Sequence, residues 1–235
     1  MGSPDSVAGR DPSPVSLTLV AMVLAVVAGF VDAVGFLHVV AVFPANQSGN
    51  VAFLGLSIGG TSPAPWWAPP VAIAAFMVGA AVGRWSTVRV GPRRGAATLL
   101  GLELVLLTAL AVVGVASGEN EPFTTTAARV AALAAAALAM GLQTEVIRNV
   151  AGVAVSTTYL MGAIARIGET IGMSPGSRER GSERRLVGVL SVVLIAYVGG
   201  AALGASRLGD GRTGYLVPVA LVAGLFAVAW ARPWS

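Results

Sequence analysis

Long apolar stretches separated by short polar loops dominate the sequence. Six of them approach or exceed the roughly 20 apolar residues that a helix needs to cross the hydrocarbon of a bilayer. They cover about residues 15–42, 67–88, 95–117, 126–151, 185–206 and 213–231. The pattern therefore predicts an all-α membrane protein with six transmembrane helices.

Two further segments, 46–61 and 157–172, begin with polar residues and are rich in glycine. At about 1.5 Å per residue each reaches only about 24 Å, which is less than the thickness of the hydrocarbon. We expect them to be short re-entrant or broken helices. Residues 1–14 are polar and rich in Pro, Ser, Gly and Asp, which predicts a disordered tail before a single transmembrane domain, 15–235.

The two halves of the chain resemble each other. An offset of 113 residues places Asp32 on Glu145, and an offset of 121 places Gly79–Gly83 on Gly200–Gly204. Small residues four apart let helix backbones approach closely in lipid. We interpret this as an internal duplication, although a chain rich in Ala, Gly and Val also matches itself by chance.

The arginines determine the expected topology, because cytoplasmic loops carry an excess of Lys and Arg. Four arginines lie in 84–94 and four in 178–185, whereas 43–66 has no charge. Both basic loops fall on the cytoplasmic side only if neither short segment crosses the membrane. The expected arrangement has cytoplasmic N- and C-termini and two inverted repeats, about 15–117 and 126–232.

The composition also indicates a protein that is surrounded by a lipid bilayer. The 235 residues are 55% hydrophobic and only 11% charged, with a mean hydropathy of +0.79, which leaves too little polar surface for a water-soluble globule. The net charge of +4 comes from arginine clusters between apolar stretches, so we do not expect a nucleic-acid partner. Because the chain has no cysteine, disulfides and cysteine nucleophiles are excluded.

Polar groups inside the apolar segments are the candidate functional residues, because such groups are costly in lipid. Asp32 lies within the first apolar helix, and a polar motif follows it at 46–50. In the second half, Glu145, Arg148 and Asn149 share one helix face by their spacing. We predict that the substrate or ion site contains Asp32, Asn46, Ser48, Asn50, Gln143, Glu145, Arg148, Asn149, Thr157, Thr158 and Tyr159.

Three functions are consistent with these residues. A small secondary transporter or channel would bind a cation or proton at Asp32 and Glu145, and an anion at Arg148. A structural or partner-binding membrane protein would use the same charges only to hold helices together. An intramembrane enzyme would need a nucleophile such as Ser48 with His38, but no known catalytic motif accompanies them.

We therefore expect a protein that is not an enzyme, with no catalytic residues, metal or cofactor. The expected partners are the lipid bilayer and a small solute or ion. The glycine faces also suit a homo-oligomer.

Two motifs resemble those of the YoaK family of bacterial multi-pass membrane proteins, also called DUF1275. The first is GFVDAVGFL followed by ANQSGN, and the second is GLQTEVIRNVAGVAVSTTYLMG. The family patterns look like G-x-x-D-A with N-x-T-G-N, and G-x-Q-N-A-x-x-R with T-T-x-x-T-G. Ser48, Thr144, Glu145 and Met161 depart from them. The resemblance covers about residues 16–230 and implies a multi-pass membrane protein of uncharacterised function, which we expect in the bacterial inner membrane.

Overall fold

The computed structural model describes residues 14–118, 122–151, 159–172 and 180–231, which form helices joined by short loops, without a strand. The first half contains α1 (Pro14–Val34), a π-helical turn (Gly35–Val39), α2 (Gln47–Ile58), α3 (Ala68–Val90) and α4 (Pro92–Ser117). The second half contains α5 (Thr126–Ala151), α6 (Tyr159–Gly172), α7 (Arg180–Gly204), a 3₁₀ turn (Arg207–Gly209) and α8 (Leu216–Ala231). The all-α class is confirmed. Residues 1–13 of the predicted tail lie outside these ranges.

Five of the helical segments are long and apolar enough to cross a membrane. They are Leu17–Val39, Ala68–Val90, Arg94–Ser117, Thr126–Val146 and Leu186–Gly204. The sixth predicted span corresponds to α8, which has only 16 residues and extends about 24 Å. The described residues thus contain five helices that are long and apolar enough to span a membrane, and one shorter apolar helix.

Large apolar side chains cover the outer surface of this helical bundle. Met77, Val105, Ile195 and Trp230 come from four different helices, and each is at least 64% exposed. A water-soluble protein rarely leaves so many large apolar groups in contact with solvent. This surface suits contact with the acyl chains of lipid.

Two clusters of residues define opposite ends of the bundle. At the pocket end, a pocket is lined by residues 36–41, Pro63, Pro65 and Arg129, so the end of α1 lies beside the starts of α3 and α5. At the other end, Gly83 of α3 lies against Glu145 of α5. We call this the arginine-rich end, because nearby helix ends carry Arg84, Arg89, Arg94 and Arg148.

Helices α1 and α7 run parallel and touch through glycines. A methyl group built on Gly200 would lie 2.2 Å from the carbonyl oxygen of Val26. One turn further, a methyl group on Gly204 would lie 2.7 Å from the carbonyl oxygen of Phe30. Only glycine leaves room for the two backbones at this distance.

Helices α3 and α5 make an equivalent contact. A methyl group built on Gly79 would lie 2.2 Å from the carbonyl oxygen of Leu138, and one on Gly83 would lie 3.1 Å from the Cβ of Glu145. The two glycine pairs predicted on α3 and α7 therefore both form close helix contacts. On the short helices, a methyl group built on Gly55, Gly168 or Gly172 would meet no described atom within 4 Å, and one on Gly59 would meet only carbonyl oxygens of α2.

The equivalent contacts recur at constant offsets along the chain. Contact residues of α7 lie 121 positions after those of α3, as the sequence predicts, but contact residues of α5 lie 112 positions after those of α1. The predicted offset for α1 and α5 was 113. At the offset of 112, the position in the second half that is equivalent to Ala33 is Glu145, and the position equivalent to Asp32 is Thr144.

These directions determine the course of the two short helices. Helix α1 ends at the pocket end, and α3 begins at the same end. The segment between them, which contains α2, therefore starts and finishes at the pocket end. Likewise α5 ends at the arginine-rich end, and α7, which is parallel to α1, begins there. Neither α2 nor α6 carries the chain from one end of the bundle to the other.

Candidate functional site

Asp32 lies in the last turn of α1 and is almost completely buried. Its Oδ1 accepts a hydrogen bond of 2.5 Å from the backbone N–H of Ala45 and one of 3.4 Å from that of Asn46. Its Oδ2 accepts a hydrogen bond of 2.5 Å from the hydroxyl of Tyr197 on α7. The carboxylate therefore joins three parts of the fold: α1, the loop that precedes α2, and α7.

The polar motif in front of α2 is folded onto itself. The side chain of Asn50 donates to the carbonyl of Phe43 at 2.5 Å and accepts from the N–H of the same residue at 3.0 Å. Asn46 caps α2 by accepting from the N–H of Gly49, and the hydroxyl of Ser48 donates to the same oxygen. These bonds satisfy backbone groups that the break leaves without helical partners, which is necessary in lipid.

Aromatic packing fixes the position of this loop. Phe43 stacks on Phe36 with ring centroids 5.0 Å apart, and it also packs against Phe53 of α2 at 5.9 Å. The ring of Pro44 fills the space beside Gly35, where a side chain would collide with it. The break after α1 is thus a packed structure as well as a hydrogen-bonded one.

The polar residues of the second half lie at a different level of the bundle. Glu145 is buried and forms an ion pair of 2.9 Å with Arg148, whose side chain is half exposed. Gln143 donates to the carbonyl of Leu24 at 2.9 Å and so connects α5 to α1. Counting about 1.5 Å per residue from this bond places Asp32 and Glu145 roughly 15 Å apart along the bundle.

The structure therefore brings together only part of the predicted site. Asp32, Asn46, Ser48 and Asn50 form one cluster, and Glu145 with Arg148 forms another. Asn149 lies in the last turn of α5, and Tyr159 begins α6. Thr157 and Thr158 lie outside the described residues.

Sequence reasoning gave Tyr197 no place in the site, and it left Glu103 as either a further site residue or the partner of a residue such as Arg166. A tyrosine in an apolar helix carries no signal, and only the fold brings Tyr197 to Asp32. Glu103, in contrast, is the one charged residue of its apolar stretch 95–117. It is completely buried, and neither carboxylate oxygen accepts a hydrogen bond from any described residue.

A pocket of about 380 Å³ opens beside the end of α1. His38 and Arg129 are its basic lining residues, and the Nε of Arg129 donates to the carbonyl of Phe123. Asp210 interacts electrostatically with His38, and the backbone N–H of Thr213 holds the pKa of Asp210 below its usual range. The pocket is therefore a polar cleft directly before the loop that Asp32 holds. No group of three His, Asp or Glu residues that could bind a metal occurs within the described ranges.

Comparison with known proteins places the chain in a family without assigning an activity. Residues 20–229 match the family described as "Protein of unknown function (DUF1275)". Neither a curated protein nor a solved structure matches the chain.

Proposed function

Because this chain belongs to the DUF1275 family, whose function is unknown, we propose from its own geometry that it is a secondary transporter or channel for a small solute or ion. The observation that carries this proposal is the buried carboxylate of Asp32, which links the break of the first half to Tyr197 in the second half. Ionisable groups within membrane helices usually belong to a substrate or ion pathway.

Asp32 has the contacts that a switch needs. A proton or cation that binds its carboxylate competes with the N–H of Ala45 and the hydroxyl of Tyr197 for the same two oxygens. Binding at Asp32 thereby loosens the loop in front of α2, which follows directly on the residues that line the pocket. A ligand can shift a conformational equilibrium only through such a difference in contacts between two states.

The helix contacts support a rocking movement between two rigid pairs. Pairs α1–α7 and α3–α5 are each held by the same backbone contacts, and the two pairs run in opposite directions. This relation supports two inverted repeats, with α8 as the counterpart of α4 and as a sixth span. Many secondary transporters move one repeat unit against another around a site between them.

The arginines support an inner-membrane protein with cytoplasmic termini. Arg84, Arg89, Arg94 and Arg148 belong to the end of the bundle at which α1 begins, and cytoplasmic loops are the ones enriched in arginine. Arg129, Arg207 and Arg212 belong to the pocket end and partly offset this asymmetry. The exposed apolar surface suits lipid, and it also provides area for contact with a second copy of the chain.

A structural role is the second candidate, and a specific observation favours it. The side chains of Asn46 and Asn50 are engaged with nearby backbone groups, so their bonding capacity serves the loop itself. In that case Asp32 only holds helices together. The enzyme alternative has less support, because the hydroxyl of Ser48 donates to Asn46.

Flux measurements distinguish these functions. Purified protein is reconstituted in liposomes, and uptake is screened with inorganic ions, amino acids and small carboxylic acids under defined ion gradients. We expect saturable, gradient-dependent uptake of at least one compound, and loss of that uptake in Asp32→Asn. Unchanged uptake in Asp32→Asn contradicts the site, and an Asp32→Asn variant that loses only thermal stability, with no flux in the wild type, supports the structural role.

A further inference from the structure

Glu103 is a carboxyl group near the middle of a membrane-length helix. It lies within roughly 4 Å of the middle of the 24-residue apolar segment Arg94–Ser117, counting 1.5 Å per residue. Its side chain has no exposed surface, and neither oxygen accepts a hydrogen bond from the described residues. Asp32, in contrast, has three hydrogen-bond donors around it.

Glu103 has apolar neighbours on its own helix and on the side of α8. On its own helix, the neighbours one turn away on the buried face are Leu99, Leu100 and Leu107, all completely buried. Helix α8 packs against α4 through Phe226, which touches Gly101, and α8 contains no titratable residue.

The charged residues of the other helices packed on α4 lie away from Glu103. On α3 they are Arg84 and Arg89, and on α5 they are Arg129, Glu145 and Arg148. All of these lie close to helix ends, whereas Glu103 lies near the middle of α4. Asp210 and Arg212 belong to the loop that meets Gly114, eleven residues further along α4.

Among the described residues, an ionised carboxylate at this position would have neither an ion-pair partner nor a hydrogen-bond donor. Its desolvation would cost far more than that of the neutral acid, and buried groups normally avoid this cost by changing protonation state. The neutral form of the side chain is therefore the form that the fold accommodates.

We propose that Glu103 is a proton-binding site in the middle of the bundle, separate from the Asp32 cluster. Movement of α4 relative to α5 and α8 would bring water or a donor to the carboxyl and release the proton. The role of this site in coupling rests on the proposed transport function: the proton is then the ion whose movement the protein couples to that of its solute. The proton-binding site itself does not depend on that function.

Infrared spectroscopy of the full-length protein in lipid at pH 7 tests the site. The wild type is expected to give the carbonyl stretching band of a protonated carboxylic acid, and Glu103→Gln is expected to lose intensity in that band. Glu145→Gln is the matched control: Glu145 is equally buried but paired with Arg148, so its replacement leaves the band unchanged. Equal bands in the wild type and in Glu103→Gln would overturn the proposal.

A second measurement on the wild type is independent of how well the variants fold. A membrane-soluble carbodiimide reacts with a protonated carboxyl: the acid proton passes to one nitrogen, the oxygen adds to the central carbon, and nothing is lost from the adduct. Mass spectrometry after treatment at pH 7 should find the adduct on Glu103 and not on Glu145. Adducts confined to other carboxyl groups would contradict a neutral Glu103.

Uptake measurements test the proposed role of Glu103 in coupling separately from its ability to bind a proton. In liposomes, an imposed pH gradient alone is expected to drive accumulation of a transported compound by the wild type. Glu103→Gln is expected to exchange that compound without responding to the gradient. A protonated Glu103 in a protein without any uptake would refute the transport function and leave the proton-binding site standing, whereas gradient-driven uptake by Glu103→Gln would refute the coupling.

Discussion

Asp32 and Tyr197 are joined by a hydrogen bond of 2.5 Å although 165 positions separate them in the chain. The bond connects the last turn of α1 to the C-terminal third of α7, and the other oxygen of Asp32 holds the loop in front of α2. One carboxylate thus couples the helix pair α1–α7 to the loop beside the pocket. A change at either residue should affect both.

Replacing Tyr197 by Phe is expected to lower the free energy of unfolding by about 0.6 kcal/mol, the mean for hydrogen bonds between membrane helices, and by no more than about 1.7 kcal/mol. Tyr215→Phe is the control, because its buried hydroxyl has no hydrogen-bond partner among the described residues. Thermal unfolding in detergent measures both variants. Equal losses would show that the Tyr197 hydroxyl contributes nothing specific.

Replacing Gly200 by Ala is expected to separate α7 from α1, since the new methyl group would lie 2.2 Å from a carbonyl oxygen. Overpacking of this kind typically costs about 1 to 3 kcal/mol. Gly79→Ala should cost a similar amount, because Gly79 has the equivalent contact on α5. The neighbouring Gly199→Ala is the control, with no atom within 4 Å of the added methyl. Unfolding curves in which all three variants coincide would refute the close contact.

Replacing Asn50 by Asp is expected to open the loop in front of α2. Asp keeps an acceptor for the N–H of Phe43 but loses the donor to its carbonyl, and an unsatisfied buried group costs about 1 to 3 kcal/mol. Ser48→Ala, at an exposed position two residues away, should change stability little. Limited proteolysis between residues 40 and 50 reports the opening, and identical cleavage rates in the two variants would contradict it.

Labelling of single cysteines from either side of the membrane tests the course of the chain. The natural chain has no cysteine, so Ser62→Cys and Ser177→Cys provide unique labels. We expect a membrane-impermeant maleimide to reach residue 62 from outside the cell and residue 177 only from the cytoplasm. Labelling of both from the same side would mean that α2 and α6 cross the membrane, and would remove the inverted arrangement.

The sequence predicts the helices, and it singles out the polar residues that form the first cluster. Asp32 and the motif 46–50 are recognisable because polar groups stand out against an apolar background. The bond to Tyr197 is not predictable, because it depends on how two distant helices pack. The isolation of Glu103 is also a property of its neighbours, and no local pattern reveals it.

The relation between the halves shows why repeats in apolar chains are hard to align. Offsets of 112 and 113 both pair small apolar residues at many positions, since Ala, Gly and Val fill most positions of α1 and α5. Matching the acidic residues Asp32 and Glu145 favours the offset of 113. The backbone contacts favour the offset of 112. A shift by one residue rotates a helix position by about 100° and would turn the contact face away from the neighbouring helix.

The glycine contacts within the two helix pairs also bear on how the protein adapts to its membrane. Where two helix backbones touch directly, no side chain lies between them that could change rotamer. The distance between the helices of each pair therefore cannot adjust gradually. When the hydrocarbon thickness changes, a membrane helix compensates by tilting. In this protein α1 and α7 would have to tilt as one body, and so would α3 and α5. Bilayer thickness would then act on the angle between the pairs and leave their internal geometry unchanged.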